Sequence, residues 1–120
     1  MSLAVISELS RKYGADPRFV LAGGGNSSFK DGRQLWIKPS GVWLAEIRDE
    51  DFLRLDRAAV REVLALGPGE VADPRSPVVR HLLQAALAPG QSGRPSVEAP
   101  MHEALAATFV LHLHPTAVNG

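Results

Sequence analysis

Histidines concentrate near the end of the chain in a pattern that suits a metal ion. Three of the four histidines lie at positions 102, 112 and 114. Residues 109–114 form an apolar run with aromatic and β-branched members before a proline, which predicts a strand. Because side chains alternate along a strand, His112 and His114 would share one face, where two imidazoles can bind one divalent cation. The alternative is that His-x-His arises by chance and does no chemistry.

An acidic residue precedes these histidines at helical spacing. Ser96 is predicted to cap a helix, so that Glu98 and His102, four residues apart, would lie on one face. Pro100 falls in the first turn of that helix, where its missing amide hydrogen costs little. A carboxylate close to a metal site is the usual equipment for metal-assisted proton transfer.

A second candidate site lies in the first third of the chain. Adjacent glycines at 23–25 let backbone amides approach an anion, and Asn26 with the two serines after it adds side-chain donors. This loop matches neither the P-loop nor the dinucleotide fingerprint. A flexible turn that needs positive φ explains the glycines equally well. The Lys-Pro-Ser-Gly turn at 38–41 has the same two interpretations, because an exposed lysine is usually only solvated surface.

The predicted elements bring these two segments together. A helix is predicted at 3–13, ended by Gly14. Strands are predicted at 19–22, 26–30 and 35–38, and Asp31-Gly32 is a two-residue hairpin signal between the last two. The glycine loop and the Lys-Pro-Ser-Gly turn would then lie at one end of a small antiparallel sheet.

The middle of the chain is predicted to be structural. Residues 46–51 are an acidic loop or helical turn, and 52–55 could be a further strand. Asp56 should cap one helix and Pro77 should begin the next. Their inward apolar residues are predicted to be Val60, Val63 and Leu64 in the first helix, and Val78, Val79, Leu82, Leu83 and Leu87 in the second. His81 is expected at the surface.

The composition excludes several classes of protein. A length of 120 residues suits one domain. The 13 basic and 13 acidic side chains give a formal net charge of +0, so no global field favours nucleic acid or an anionic membrane. The chain has no cysteine, so any metal must be held by nitrogen and oxygen. Without a membrane-length apolar run or a secretory signal, a cytoplasmic protein is expected.

Four motifs occur in a fixed order along the chain: Gly-Asn-Ser-Ser at 25–28, Lys-Pro-Ser-Gly at 38–41, Pro-Ser-Val-Glu and a histidine within 95–102, and His-Leu-His-Pro at 112–115. Together they resemble the class II aldolase/adducin family. Residues 13–16 and the glycine loop look most like the aldolase portion of the bifunctional rhamnulose-phosphate aldolase/alcohol dehydrogenase branch, with fuculose-phosphate aldolases as relatives. The resemblance implies a three-layer α/β/α domain over residues 1–120, with a central, mainly antiparallel sheet.

The resemblance also implies a chemistry. Such a protein would be a zinc-dependent lyase, or use another divalent cation, cleaving a small phosphorylated ketose by a retro-aldol reaction through a metal-stabilised enediolate. Glu98 matches the general acid/base, whose pKa burial can raise toward neutrality. His112 and His114 match two of three zinc ligands, and His102 matches a positioning histidine. The positions that match phosphate-binding residues are Gly25, Asn26, Ser40, Gly41 and Ser96. A homo-oligomer is implied, tetrameric in the family.

Two departures from the family pattern open an alternative. Val97 stands where the sugar-phosphate aldolases carry a second serine, which weakens the case for a phosphorylated substrate. The third histidine ligand would lie downstream of Gly120, so the chain is expected to be the N-terminal portion of a domain truncated at its C-terminus. The alternative function is a non-catalytic, adducin-like assembly module or an inactive fragment. Aldolase, epimerase and dehydratase activities are not distinguished by the residues present.

Overall fold

A four-stranded antiparallel sheet organises the chain. The computed structural model describes residues 2–16, 18, 25–65 and 77–113. The sheet has the order β3-β2-β1-β4, and every neighbouring pair is antiparallel. The elements, in chain order, are α1 (Ser2–Gly14), β1 (Asn26–Lys30), β2 (Gln34–Ile37), two 3-10 turns (Leu44–Glu46 and Asp49–Asp51), β3 (Leu53–Asp56), α2 (Arg57–Leu64), α3 (Pro77–Ala85), α4 (Ala99–Ala104) and β4 (Phe109–His112).

Helices cover both faces of the sheet. Alternation along β2 turns Leu35 and Ile37 to one face and Trp36 to the other. The first face packs against the inward residues of α2 and α3, which include Val60, Val63, Val79 and Leu83. The second packs against α1 and the 3-10 turns, through Ile6, Ile47 and Phe52. The predicted three-layer α/β/α architecture with an antiparallel sheet is therefore confirmed.

The hairpin between β1 and β2 is closed by an aspartate side chain. Asp31 Oδ1 accepts hydrogen bonds from the backbone amides of Arg33 and Gln34, at 2.8 and 2.7 Å. The amide of Asp31 in turn donates to the carbonyl of Gln34 at 3.0 Å. Gly32 does not adopt a positive φ. The predicted hairpin is confirmed, and its central residues are Gly32 and Arg33.

Two residues predicted to face inward are instead at the surface. Leu64 is 47% exposed and Val78 is 50% exposed. Leu64 is the last residue of α2 and Val78 is the second residue of α3, so both lie at helix ends, whereas their neighbours Val63 and Val79 are buried. The predicted cap of α2 is confirmed, because the Asp56 carboxylate accepts a hydrogen bond from the helix at 3.3 Å.

Several sequence predictions fall outside the described residues. These are the strand at 19–22, the first two glycines of the loop at 23–25, and His114. Within the parts of the chain that are described, no helix is long and apolar enough to cross a membrane.

The end of α1 approaches the first 3-10 turn more closely than a side chain would allow. A Cβ atom built on Gly14 would lie 2.5 Å from Leu44 Cβ and 2.7 Å from the backbone nitrogen of Ala45. Real Cβ atoms essentially never come this close to another atom. Only glycine therefore permits α1 to pack at this distance.

We expect Gly14→Ala to lower the free energy of unfolding by about 1–3 kcal/mol, because the added methyl forces α1 away from the turn. This loss should exceed the gain from alanine's higher helix propensity. Urea denaturation measures it. Gly32→Ala is the matched control, since nothing lies within 4 Å of its Cβ position. Equal stability of the two variants would contradict the tight approach.

Candidate functional site

One face of β1 carries three buried polar residues. They form hydrogen bonds with the segment that contains the residues of the candidate site. Asn26, Ser28 and Lys30 are 4%, 0% and 5% exposed, and they face the layer that contains α4. Asn26 Nδ2 donates to Ser96 Oγ at 2.7 Å. Ser28 Oγ lies 2.6 Å from His102 Nδ1. The strand therefore fixes the position of the segment that leads into α4, and it also fixes the orientation of the His102 ring.

Lys30 completes this attachment at the other end of α4. Its buried ammonium donates to the backbone carbonyls of His102 and Leu105, the latter at 2.5 Å. Carbonyls at the end of a helix lack partners within the helix, so the ammonium supplies them. Burial lowers the pKa of Lys30. The lysine thus acts as an internal cap rather than as a surface charge.

The start of α4 differs from the sequence prediction. Glu98, not Ser96, is the N-cap residue, and the helix begins at Ala99. Ser96 Oγ accepts a hydrogen bond from the Glu98 amide at 3.1 Å and another from Asn26. The Ser96 hydroxyl therefore accepts its hydrogen bonds in the turn before the helix. Pro100 lies in the first turn, as predicted.

Glu98, His102 and His112 come together between α4 and β4. Glu98 Oε1 lies 2.9 Å from His112 Nδ1 and 3.8 Å from His102 Nε2. One possible ligand atom from each residue lies within 4.8 Å of the other two. His102 is fully buried, whereas the side chains of Glu98 and His112 are each 32% exposed, so the cluster is open on one side. The one-face placement of Glu98 and His102 predicted from their spacing is confirmed.

The donor set of this cluster fits a divalent cation. Among the residues that the structure describes, His102 Nε2 is a buried nitrogen with no hydrogen-bond partner. Leaving such a nitrogen unsatisfied costs free energy, and a cation at the cluster would satisfy it. Two imidazoles and a carboxylate are suitable zinc ligands. The sequence predicts only a positioning role for His102. Its spacing of four residues from Glu98 is the signal that identifies it as a possible ligand.

The two imidazoles lower the pKa of Glu98 to about 2. Interaction with His102 is the largest cause, and His112 also lowers it, whereas burial acts in the opposite direction. The 2.9 Å contact with His112 is a hydrogen bond, and the 3.8 Å separation from His102 is an ion-pair distance. The expectation of a raised pKa is therefore wrong for this arrangement, because the paired histidines outweigh burial.

The predicted anion-binding positions gather at the same end of the sheet. The amide of Lys38 donates to the Ser27 carbonyl at 3.0 Å, and the amide of Ser40 donates to the Arg94 carbonyl at 3.2 Å. These bonds join the 38–41 turn to β1 and to the segment before α4. Two glycines here have positive φ, 83° at Gly25 and 91° at Gly41. The positions brought to this end are Gly25, Asn26, Ser40, Gly41 and Ser96, and their binding of an anion stays a prediction.

Lys38 holds this turn from the inside. It is 4% exposed, and its ammonium donates to the carbonyls of Pro39 and Val42 at 3.4 and 2.5 Å. Burial lowers the pKa of Lys38, while the charge of Glu98 raises it. The solvated-surface interpretation of this lysine is therefore wrong, and its charge is part of the site's electrostatics.

Fold and site together define a class of protein: a three-layer α/β/α domain with a carboxylate–histidine cluster fit for a divalent cation beside a polar turn. The sequence pattern of the Class II Aldolase and Adducin N-terminal domain matches residues 4–120. The chain belongs to the class II aldolase/adducin family. Proteins of this family typically use a divalent metal.

Solved structures share this fold. The N-terminal class II aldolase domain of a conserved protein from Thermoplasma acidophilum is 26% identical, with a TM-score of 0.81 over 98% of this chain and 56% of that one. YgbL from Klebsiella pneumoniae, described only as a candidate aldolase/epimerase/decarboxylase, is 18% identical, with a TM-score of 0.58 over 96% of this chain and 46% of that one. The chain thus spans about half the length of these proteins. A comparison with curated proteins finds no match.

We expect Lys30→Met to lower the free energy of unfolding by about 1–3 kcal/mol, because two carbonyls at the end of α4 lose their donor. Urea denaturation measures this loss. Lys12→Met is the control, since Lys12 is exposed on α1. If both variants were equally stable, Lys30 would not anchor α4.

Proposed function

We propose that this chain is part of a metal-dependent class II aldolase-type lyase that cleaves a small phosphorylated ketose by a retro-aldol reaction. One observation carries the proposal: the Glu98 carboxylate lies 2.9 Å from His112 and 3.8 Å from the buried, unsatisfied Nε2 of His102. This cluster combines potential metal ligands with a partly exposed carboxylate. Membership of the class II aldolase/adducin family supports the same chemistry.

A divalent cation, with zinc as the first choice, would be held by the imidazoles of His112 and His102, which leaves the Glu98 carboxylate for proton transfer. His114 is a further ligand on the sequence prediction. When bound, the cation would act as a Lewis acid that polarises the substrate carbonyl. The absence of cysteine leaves nitrogen and oxygen donors, which zinc accepts.

Glu98 is the residue proposed to move the proton. Its Oε1 would accept the proton of the hydroxyl on the carbon that departs. As that hydroxyl becomes a carbonyl, the carbon–carbon bond breaks and its electron pair passes to the fragment that keeps the original carbonyl. The same proton then returns to the carbon adjacent to that carbonyl, which balances the reaction. His112 keeps the carboxylate oriented through the 2.9 Å hydrogen bond.

The substrate phosphate would be bound at the end of the sheet that the 38–41 turn shares with β1. The two glycines with positive φ at this end, together with its hydroxyl and amide side chains, are residue types that suit an anion. The residues proposed to bind it are Gly25, Asn26, Ser40, Gly41 and Ser96. Rhamnulose phosphate and fuculose phosphate are the first ketoses to test, since the motifs resemble those enzymes. We further propose a homo-oligomer located in the cytoplasm.

We expect Glu98→Gln to reduce turnover of a ketose phosphate by about 100-fold to 10,000-fold, because the amide cannot exchange the proton. Folding and metal content should stay close to the wild type, as judged by circular dichroism and elemental analysis. Glu62→Gln on the exposed side of α2 is the matched control. Unchanged turnover in Glu98→Gln would refute the role of Glu98, and loss of the fold would make Glu98 structural.

We expect His112→Ala to reduce the zinc content of the purified chain sharply, because the cluster loses a ligand. Parallel His102→Ala and His114→Ala variants identify which histidine completes the site. His81→Ala is the control, since His81 is exposed on α3. Full zinc content in His112→Ala would place the ligands elsewhere.

The alternative is a non-catalytic, adducin-like assembly module. The observation that favours it is the exposure of three large apolar side chains, Met101, Leu105 and Phe109, at 39–47%. A wild-type chain that binds no divalent cation but self-associates would support this alternative and contradict the lyase proposal.

A further inference from the structure

A cavity of about 400 Å³ lies between α3, the 38–41 turn and the segment that leads to α4. This volume is within the range of small-molecule binding pockets. Its polar and charged lining comes from Ser40, Arg80, Gln84 and Arg94. Val97 also lines it and directly precedes Glu98, so the cavity adjoins the proposed proton-transfer residue along the chain.

The walls of this cavity are tied to one another. Gln84 Nε2 of α3 donates to the Gly93 carbonyl at 3.1 Å. The Ser40 amide donates to the Arg94 carbonyl at 3.2 Å. Gly93 has a φ of 124°, and a Cβ built on it would lie 3.3 Å from Leu53 Cδ2. The segment that carries Arg94 is therefore hydrogen-bonded to α3 and to the 38–41 turn, and it packs against β3. These contacts hold the walls of the cavity in place.

Two arginines give the cavity a positive charge. Among the described residues, neither Arg80 nor Arg94 forms an ion pair. By contrast, Arg57 and Arg61 both pair with Glu103 at 2.9 Å. Of the cavity's lining residues that the structure describes, none is acidic. Guanidinium groups present planar sets of donors that match phosphate and carboxylate oxygens.

We propose that Arg80 and Arg94 form an oxyanion-binding pocket for the charged group of the substrate, either a phosphate monoester or a carboxylate. This inference rests on the proposed function and adds charged groups to the residues expected to bind the substrate. It also bears on Val97, which stands where the family pattern has a second serine. A hydroxyl is lacking at that position, and two guanidinium groups on the same cavity supply attraction that one hydroxyl would not. Arg80 and Arg94 are thus specificity-determining residues.

The test is a titration of the metal-stripped full chain with inorganic phosphate and, separately, with acetate. Amide chemical shifts measured by NMR report the binding. We expect saturable shifts near Ser40 and Arg94, and about 10-fold to 100-fold weaker binding in the double variant Arg80→Gln/Arg94→Gln. Arg33→Gln is the matched control, because Arg33 is exposed and does not line this cavity.

The outcomes separate this pocket from the proposed reaction. Tighter binding of phosphate identifies a phosphate monoester, and tighter binding of acetate identifies a carboxylate. The pocket is overturned if neither anion binds saturably, if the double variant binds as the wild type does, or if Arg33→Gln weakens binding equally. Because the titration needs neither metal nor turnover, arginine-dependent binding in a chain that cleaves no ketose would support the pocket while refuting the lyase.

Discussion

The polar face of β1 is the constraint on which the rest of this structure depends. Asn26, Ser28 and Lys30 are all buried, and each would cost about 1–3 kcal/mol if it lacked a partner. Each of them has a hydrogen-bond partner in one segment, from Ser96 to Leu105. Because the buried polar side chains of β1 require these hydrogen bonds, the position of α4 is fixed, and with it the position of Glu98. Pairing of Asn26 with His112 in the sheet brings the remaining member of the cluster alongside.

Local features of the fold could be predicted from the sequence, because their causes lie within a few residues. Asp56 accepts a hydrogen bond from the first turn of the helix it precedes. Asp31 closes a hairpin using amides two and three residues away. The spacing of Glu98 and His102 is one helical turn, which places both on one face. The narrower likeness to the rhamnulose-phosphate branch stays a prediction.

Features that join distant parts of the chain could not be predicted in this way. Ser28 meets His102 across 74 positions, and nothing in either segment specifies that contact. Ser96, expected to cap α4, instead lies in the turn before the helix, where its hydroxyl accepts a hydrogen bond from Asn26, 70 positions away. The pKa of Glu98 falls because two imidazoles approach it, a balance set by tertiary geometry. The placement of Arg80 and Arg94 around one cavity depends equally on how α3 packs.

The position of β1 between β2 and β4 has a consequence for the order in which the chain folds. Its pairing with β2 closes a loop of only a few residues, so that hairpin costs little chain entropy. Its pairing with β4 joins Ser28 to Val110 and must close most of the chain. Contacts of such long range form slowly. The hydrophobic layers around β2 and β3 can therefore assemble first, and the carboxylate–histidine cluster comes into existence only with the last strand to dock.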